Sequence, residues 1–308
     1  MKKCCAILAC VSLACLAAVA AEETMDIKVG VSLPLSGSLA AYGKTTLDGV
    51  KMRIDEINAA GGVNGVHVKL IIEDNTGDAT AVVNSYNKLA GSDGAVAVIG
   101  PISSTAALAV RRAAAKLKVP VVSPTATNDK VTREHGCMFR ACFNDSFQGR
   151  VIAQYIAKDV KKAATLTDMN SDYSKGLAKS FSDAFVAQGG AMAAEEKYQQ
   201  KDTDFSAQLK KIKESGADIV FVPGYPPELP LVIKQAKALG LSARLCGADG
   251  WDNDAVINGS GDNIDGCFLV GAFSTNDSRP EVKAFVEGFT KRYGARPGTF
   301  EALGYDSA

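Results

Sequence analysis

The chain reads as an α/β protein of two lobes, each a parallel sheet flanked by helices, and three observations predict it. Short apolar or alternating runs of strand type are followed, one after another, by stretches of helical periodicity. Glycine pairs close helical stretches, as at Gly61 with Gly62 and Gly189 with Gly190. The rhythm breaks at an extended run from Cys137 to Phe143 and then begins again, giving a second α/β unit.

Ile27, Val29, Val31 and Leu33 alternate into the first strand, which ends at Pro34 and a Ser36, Gly37, Ser38 loop leading to Tyr42. Leu47, Val50, Ile54 and Ile57 fall on one face of the next helix, and Val66, Val68, Leu70 and Ile72 alternate into the second strand. Asp78 begins a helix through Val82, Tyr86 and Leu89, and Ala95 to Ile99 is a short buried strand. From Gly100 to Asn128 comes a strand end, the hydroxyl triplet Ser103, Ser104, Thr105, a helix, the strand around Val121 and Val122, and a second hydroxyl cluster at Ser123, Thr125 and Thr127. Hydroxyls at a helix start, with the positive end of its dipole behind them, are suited to an anion, although each taken singly also fits a plain cap or turn. Two such clusters at carboxyl ends of parallel strands lie where open α/β sheets bind ligands.

After Asn128 a short polar helix and the Cys137 to Phe143 run are expected, then a helix capped by Asn144, Asp145 and Ser146. The second unit takes strands at Ala163 to Thr167, Ala193 to Tyr198, Ala217 to Val222 and Ala243 to Gly247, with helices at Ser174 to Gln188, Asp204 to Glu214 and Glu228 to Leu239. Its strand-end loops carry Asp168 to Tyr173, Gly224 with Tyr225, and Asp249 with Gly250 and Trp251. Cys267 to Phe273 is the expected return crossover, followed by a helix from Pro280 to Tyr293 and a last one from Thr299 that stops at Ala308 without a cap, as in a chain cut short. The lobes are thus 25–142 with 272–308, and 143–271.

Among 308 residues, 34 basic balance 34 acidic side chains, which gives no basic surplus for nucleic acid. Residues 1–21, with Lys2 and Lys3 before an apolar run, read as a secretory signal cleaved after Ala20 or Ala21; a lipid anchor through Cys15 is the lesser alternative. Later segments are too short in apolar run to span a membrane, so a soluble extracytoplasmic, periplasmic protein is expected. Of 8 Cys, four fall in the signal. The other four, Cys137, Cys142, Cys246 and Cys267, allow three connectivities, with Cys246 and Cys267 favoured because their strands could be neighbours. The sequence has no C-x-x-C, and its His residues, His67 and His135, form no metal-ligand pattern; no metal or cofactor is expected. G-x-S-x-G, H-E-x-x-H and G-x-G-x-x-G are absent too, so an enzyme is not the expectation.

The segments IKVGVSLPLSG, AYG, DEINAAGGVNG, IIEDN, VIGP, SPTATN, FRACFNDSFQG, DYSKG and ADGWD occur in this order over residues 27–308. On these the chain resembles the periplasmic leucine/isoleucine/valine-binding proteins, the substrate-binding subunits of branched-chain amino-acid ABC importers. The resemblance implies a type I periplasmic binding protein: two hinged lobes that close on a ligand and deliver it to membrane permease subunits, working as a monomer. It implies that Ser104 and Thr127 hold the ligand's α-carboxylate and amino groups, with backbone help from Thr125 and Ala126. It further implies that Asp249, where the best-known members have Glu, takes the α-ammonium with Tyr225, and that Tyr42, Tyr173 and Phe300 enclose the side chain. Some members tie the Ser104 loop to the preceding acidic loop by a disulfide; Ser103 and the Asp74 to Asp78 loop offer none, so that loop must be held another way. A ligand-sensing receptor module of the same fold, or a non-amino-acid ligand such as an amide or aromatic acid, is the alternative.

Overall fold

The structure, a computed structural model, describes residues 26–133 and 136–308; the expected signal and Cys15 lie outside the described residues. Strands β1 (Ile27–Leu33), β2 (Val68–Asp74), β3 (Ala97–Ile99), β4 (Val121–Ser123) and β5 (Met138–Arg140) form a parallel sheet in the order β2-β1-β3-β4-β5. Strands β6 (Lys162–Asp168), β7 (Ala191–Tyr198), β8 (Ile219–Phe221), β9 (Arg244–Gly247) and β10 (Phe268–Leu269) form a second, in the order β10-β9-β8-β6-β7. In each sheet the chain steps outward from its first strand to one side and then continues on the other. Each therefore has a switch point, between β1 and β3 and between β6 and β8, with a crevice beyond the carboxyl ends of those strands.

Helices α1 (Ala40–Ala59), α2 (Ala79–Asn87) and α3 (Ser104–Leu117) cover the first sheet. Helices α4 (Asp145–Ile156), α5 (Asp172–Ala187), α6 (Ser206–Glu214), α7 (Glu228–Ala238) and α8 (Asp254–Ser260) cover the second, and α9 (Pro280–Tyr293) and α10 (Thr299–Asp306) return to the first. The return is tight. A Cβ on Gly49 of α1 would stand 2.0 Å from the Glu301 carbonyl oxygen, and one on Gly304 of α10 would stand 2.2 Å from that of Thr46. The two helices thus cross backbone to backbone, a separation only glycine permits at both points. Phe300, carried into the cleft by this crossing, is buried with Val31, Leu33 and Val50 on one face of the first sheet; Val98, Val110 and Val121 build the core on the other.

Several expectations need correction. The polar helix after Asn128 is a single turn at Asp129–Val131, and the run from Cys267 contributes just the two residues of β10 to the second sheet. Helix α8 was not foreseen. Cys246 and Cys267 are free thiols, as are Cys137 and Cys142. The strands of the favoured pair are indeed neighbours, but the register sets Cys246 opposite Phe268, and one residue's offset sends Cys267 to the other face. Cys246 packs with Phe181 and Phe221, whereas Cys267 packs with Leu245 and Val220 across the sheet.

Candidate functional site

The loops beyond the switch points of the two sheets meet. Their enclosed cavity is lined by Tyr42, Thr125, Tyr225, Asp249 and Phe300, five of the residues expected there, with Ser103 of the hydroxyl triplet, and together with Leu39 and Ile102, which were not expected. Each comes from a strand-end loop or a helix start: Tyr42 after β1, Ser103 after β3, Thr125 after β4, Tyr225 after β8, Asp249 after β9, and Phe300 from the first turn of α10. The cavity has room for about 10 Å³, the scale of one water molecule. An amino acid is far larger, so entry requires the sheets to part.

Asp249 is the charged group of this cavity and is 3 % exposed. Tyr173 donates from its hydroxyl to Asp249 Oδ1 at 3.1 Å and accepts from the Gly250 N–H at 2.9 Å, while the Asp249 N–H donates to Gln148 Oε1 at 3.4 Å. Burial pushes the Asp249 carboxyl up to about 6, and the Tyr173 and Gln148 hydrogen bonds restrain it from rising further. The group is accordingly anionic in most molecules at neutral pH, short of water and suited to a cation. Tyr225 stacks on Tyr173 with ring centres 4.6 Å apart, and Tyr42 meets Tyr225 edge-on at 5.7 Å and Phe300 at 4.4 Å. Burial first, and the Asp249 charge second, raise all three phenols well above the ordinary tyrosine value, so they stay protonated donors.

Tyr173 stands behind Tyr225 and braces Asp249; it does not face the cavity. Ser104, Ala126 and Thr127 also lie off the cavity wall, each fully buried. The cap of α3 is Ser103, whose Oγ accepts from the Ala106 N–H at 3.3 Å, and Ser104 Oγ accepts from the Asn128 N–H at 3.0 Å. Ser123 Oγ donates to the Pro101 carbonyl at 2.5 Å and accepts from the Ala126 N–H at 3.1 Å, and Thr125 donates to the Ile102 carbonyl at 2.9 Å. The hydroxyls thus lace the two loops together where an outward-facing set was expected. Thr127 differs: among the described residues its hydroxyl has no hydrogen-bond partner of normal geometry.

The acidic loop needs no disulfide. Asp74 Oδ1 accepts from the N–H groups of Leu35 at 2.9 Å and Thr76 at 2.8 Å, Asn75 Nδ2 donates to Ser32 Oγ at 3.1 Å, and Asp78 caps α2 through Thr80 and Ala81. Contacts across the cleft were beyond sequence reasoning because they depend on how the lobes meet. Tyr42 donates to the Gly250 carbonyl at 2.6 Å, Asn128 Nδ2 donates to the Asp172 carbonyl at 2.8 Å, and the Asp172 N–H donates to Thr105 Oγ1 at 3.0 Å. Thr299 of α10 also donates to the Asp252 carboxylate. Among the described residues no cluster of His, Cys, Asp and Glu could hold a metal ion, and no helix is long and apolar enough to cross a membrane.

Comparison with known proteins agrees with this fold. The family described as periplasmic binding protein matches residues 26–308. The Leu/Ile/Val-binding protein BraC3 of Rhizobium johnstonii is 33 % identical over 269 residues, 87 % of this chain and 73 % of that protein. The leucine-, isoleucine-, valine-, threonine- and alanine-binding protein of Pseudomonas aeruginosa is 30 % identical over 285 residues, 91 % and 75 % of the two chains. The crystal structure of the branched-chain amino-acid transporter substrate-binding protein LivJ from Streptococcus pneumoniae, in complex with isoleucine, superposes with a TM-score of 0.86 at 35 % identity, over 92 % of this chain and 81 % of that one. A Rhodopseudomonas palustris ABC-transporter solute-binding protein in complex with benzoate superposes at 0.83 with 25 % identity, over 92 % and 78 %. By the extent of these matches, and by its two switch-point sheets meeting at one cleft, the chain belongs to the periplasmic binding proteins.

Proposed function

We propose that this protein captures an apolar amino acid, of branched-chain type, between its two lobes and delivers it to the permease of an ABC importer from the periplasmic side. The observation that carries the reading is Asp249, a buried carboxylate facing an enclosed cavity and flanked by tyrosines. A zwitterion needs a fixed negative charge for its ammonium and a donor-rich seat for its carboxylate. Asp249 offers the first on one lobe, and the amino-terminal end of α3 at Ser103 and Ser104, joined to the Thr125 to Thr127 loop, offers the second on the other. Leu39, Ile102 and Phe300 supply the apolar remainder for the side chain. The relatives named for leucine, isoleucine and valine support the same ligand class. A benzoate carries no ammonium for Asp249 to meet, so the aromatic-acid alternative leaves that buried charge unmatched. No step of chemistry is required: the lobes part, the ligand docks, and closure completes the contacts, so the closed state is favoured by what the ligand adds to it. The residues 25–142 with 272–308 and 143–271 serve as the moving bodies.

A thermal-shift screen of the L-amino acids against benzoate tests the assignment. A ligand at about 1,000 times its Kd should stabilise by about 4 kcal/mol. Leucine, isoleucine or valine raising the melting temperature while benzoate does not is the expected result; the reverse would transfer the site to aromatic acids.

A further inference from the structure

Asp145 has a position the ligand reading above leaves unexplained. It was expected to be one of three capping residues, but Asn144 is the cap of α4, its side chain accepting from the Phe147 N–H at 3.0 Å. Asp145 is turned inward and is 1 % exposed, its N–H bound to the Thr127 carbonyl at 2.9 Å. Among the described residues neither oxygen of its carboxyl group has a hydrogen-bond partner of normal geometry, and the Thr127 hydroxyl beside it has none either. The carboxyl lies so close to α5 that a Cβ on Gly176 would stand 2.1 Å from its Oδ2. One helical turn on, Gln148 accepts from the Asp249 N–H, so a single face of α4 carries both Asp145 and a residue bound to the backbone of Asp249.

We propose that Asp145 is a second carboxyl group behind the wall of the amino-acid site, one that holds a proton in the empty protein and gives it up to solvent when a ligand ammonium reaches Asp249. The inference rests on the amino-acid reading of the cleft. Its surroundings support it. Burial, with the nearby charges of Asp249 and Asp129, pushes Asp145 up to about 8, against the Thr127 hydroxyl and the Arg140 guanidinium, which act to lower it. Arg140 is a weak counter-charge because its N–H groups are directed at the Ala126 and Thr127 carbonyls, 3.1 and 2.7 Å away. Asp129 is itself engaged by Ser146 at 2.9 Å. The other titratable neighbours, Cys142 and Tyr225, are raised and neutral. An incoming ammonium offsets the Asp249 charge, one of the causes that keep Asp145 protonated, and adds attraction of its own; the ligand carboxylate acts the other way but is met by the amino-terminal end of α3. The O–H bond of the Asp145 carboxyl breaks, the proton passes to buffer, and the new carboxylate can accept from the Thr127 hydroxyl. The ligand enters and stays as a zwitterion, so charge balances.

The test is titration calorimetry of the purified chain with L-leucine at pH 7.5 in phosphate and in Tris, whose ionisation enthalpies differ. The difference in apparent enthalpy reports protons released per leucine. At that pH Asp249 holds a proton in only a few per cent of molecules, roughly, whereas Asp145 holds one in most. The expected result is a release of about 0.5–0.8 proton per leucine in the wild type, falling towards zero above about pH 9, and none in Asp145→Asn. Binding with less than about 0.2 proton released, or with the same release in Asp145→Asn, would show a merely structural residue and overturn the proposal. Should Asp145→Asn fail to fold, the wild-type pH profile decides alone. If leucine, isoleucine and valine all give no heat of binding in the wild type, the ligand reading itself fails and this inference falls with it.

Discussion

Asp249 and Asp145 are both buried aspartates near one cleft, and their neighbours give them different roles. Asp249 has the Tyr173 hydroxyl as a donor and is charged in most molecules at neutral pH; Asp145 has no partner of normal geometry and is not. Asp249→Ala should weaken leucine binding at least about thirtyfold, the lower end of what truncating a buried charge partner costs, and leave the far-UV circular dichroism unchanged. Asp145 also affects the empty protein. Its folded value near 8 lies above the unfolded carboxylate value of 3.8, so between those limits the folded state binds more protons than the unfolded one. Its stabilising contribution is therefore complete at low pH and is lost as pH rises through about 8, at up to about 1.4 kcal/mol per pH unit. Urea denaturation without ligand from pH 5.5 to 8.5 should show a downward slope that is shallower in Asp145→Asn; parallel slopes would contradict it. Asp145 was illegible in the sequence because Asn144, Asp145 and Ser146 are all capping types, and which one turns inward depends on the hydrogen bond to Thr127. Ser103 and Ser104 pose the same difficulty: either could cap α3, and the one that does is the one that lines the cavity.

The elements themselves were largely legible, because apolar periodicity reports which face is buried. What periodicity does not report is register. Cys246 lies on its expected strand, yet Cys267 stands one residue before β10, and that offset sends the two thiols to opposite faces of the sheet. The α1 to α10 crossing was equally hidden, since Gly49 and Gly304 are 255 positions apart. That crossing carries Phe300 into the cleft, so it should matter to both stability and binding. Gly304→Ala is expected to destabilise by about 1–3 kcal/mol, the usual cost of overpacking, and to weaken leucine binding as Phe300 shifts. An unchanged urea midpoint would mean that the two backbones do not approach as closely as described.

At the scale of the whole molecule the cleft is held shut by few contacts, of which the Tyr42 hydroxyl on the Gly250 carbonyl is the most buried. Tyr42→Phe removes that hydrogen bond without emptying the packing against Tyr225 and Phe300. It should lower leucine affinity by about 2- to 10-fold, in proportion to a net hydrogen bond, and leave a larger radius of gyration at subsaturating ligand. Resemblance and chain order together made the two-lobed plan legible, but the division of labour within the cleft was not, because it arises only where loops from both sheets meet. Tyr173 was expected to enclose a ligand and instead braces Asp249 from behind; the hydroxyls expected to face a ligand mostly bind one loop to the next. Titration calorimetry of L-leucine, L-isoleucine and L-valine into the wild type and Asp249→Ala tests the central claim most directly. Saturable binding of at least one of the three to the wild type, lost or weakened at least about thirtyfold in a folded Asp249→Ala, is the predicted result; equal affinity in the two proteins would remove Asp249 from the site and contradict the account.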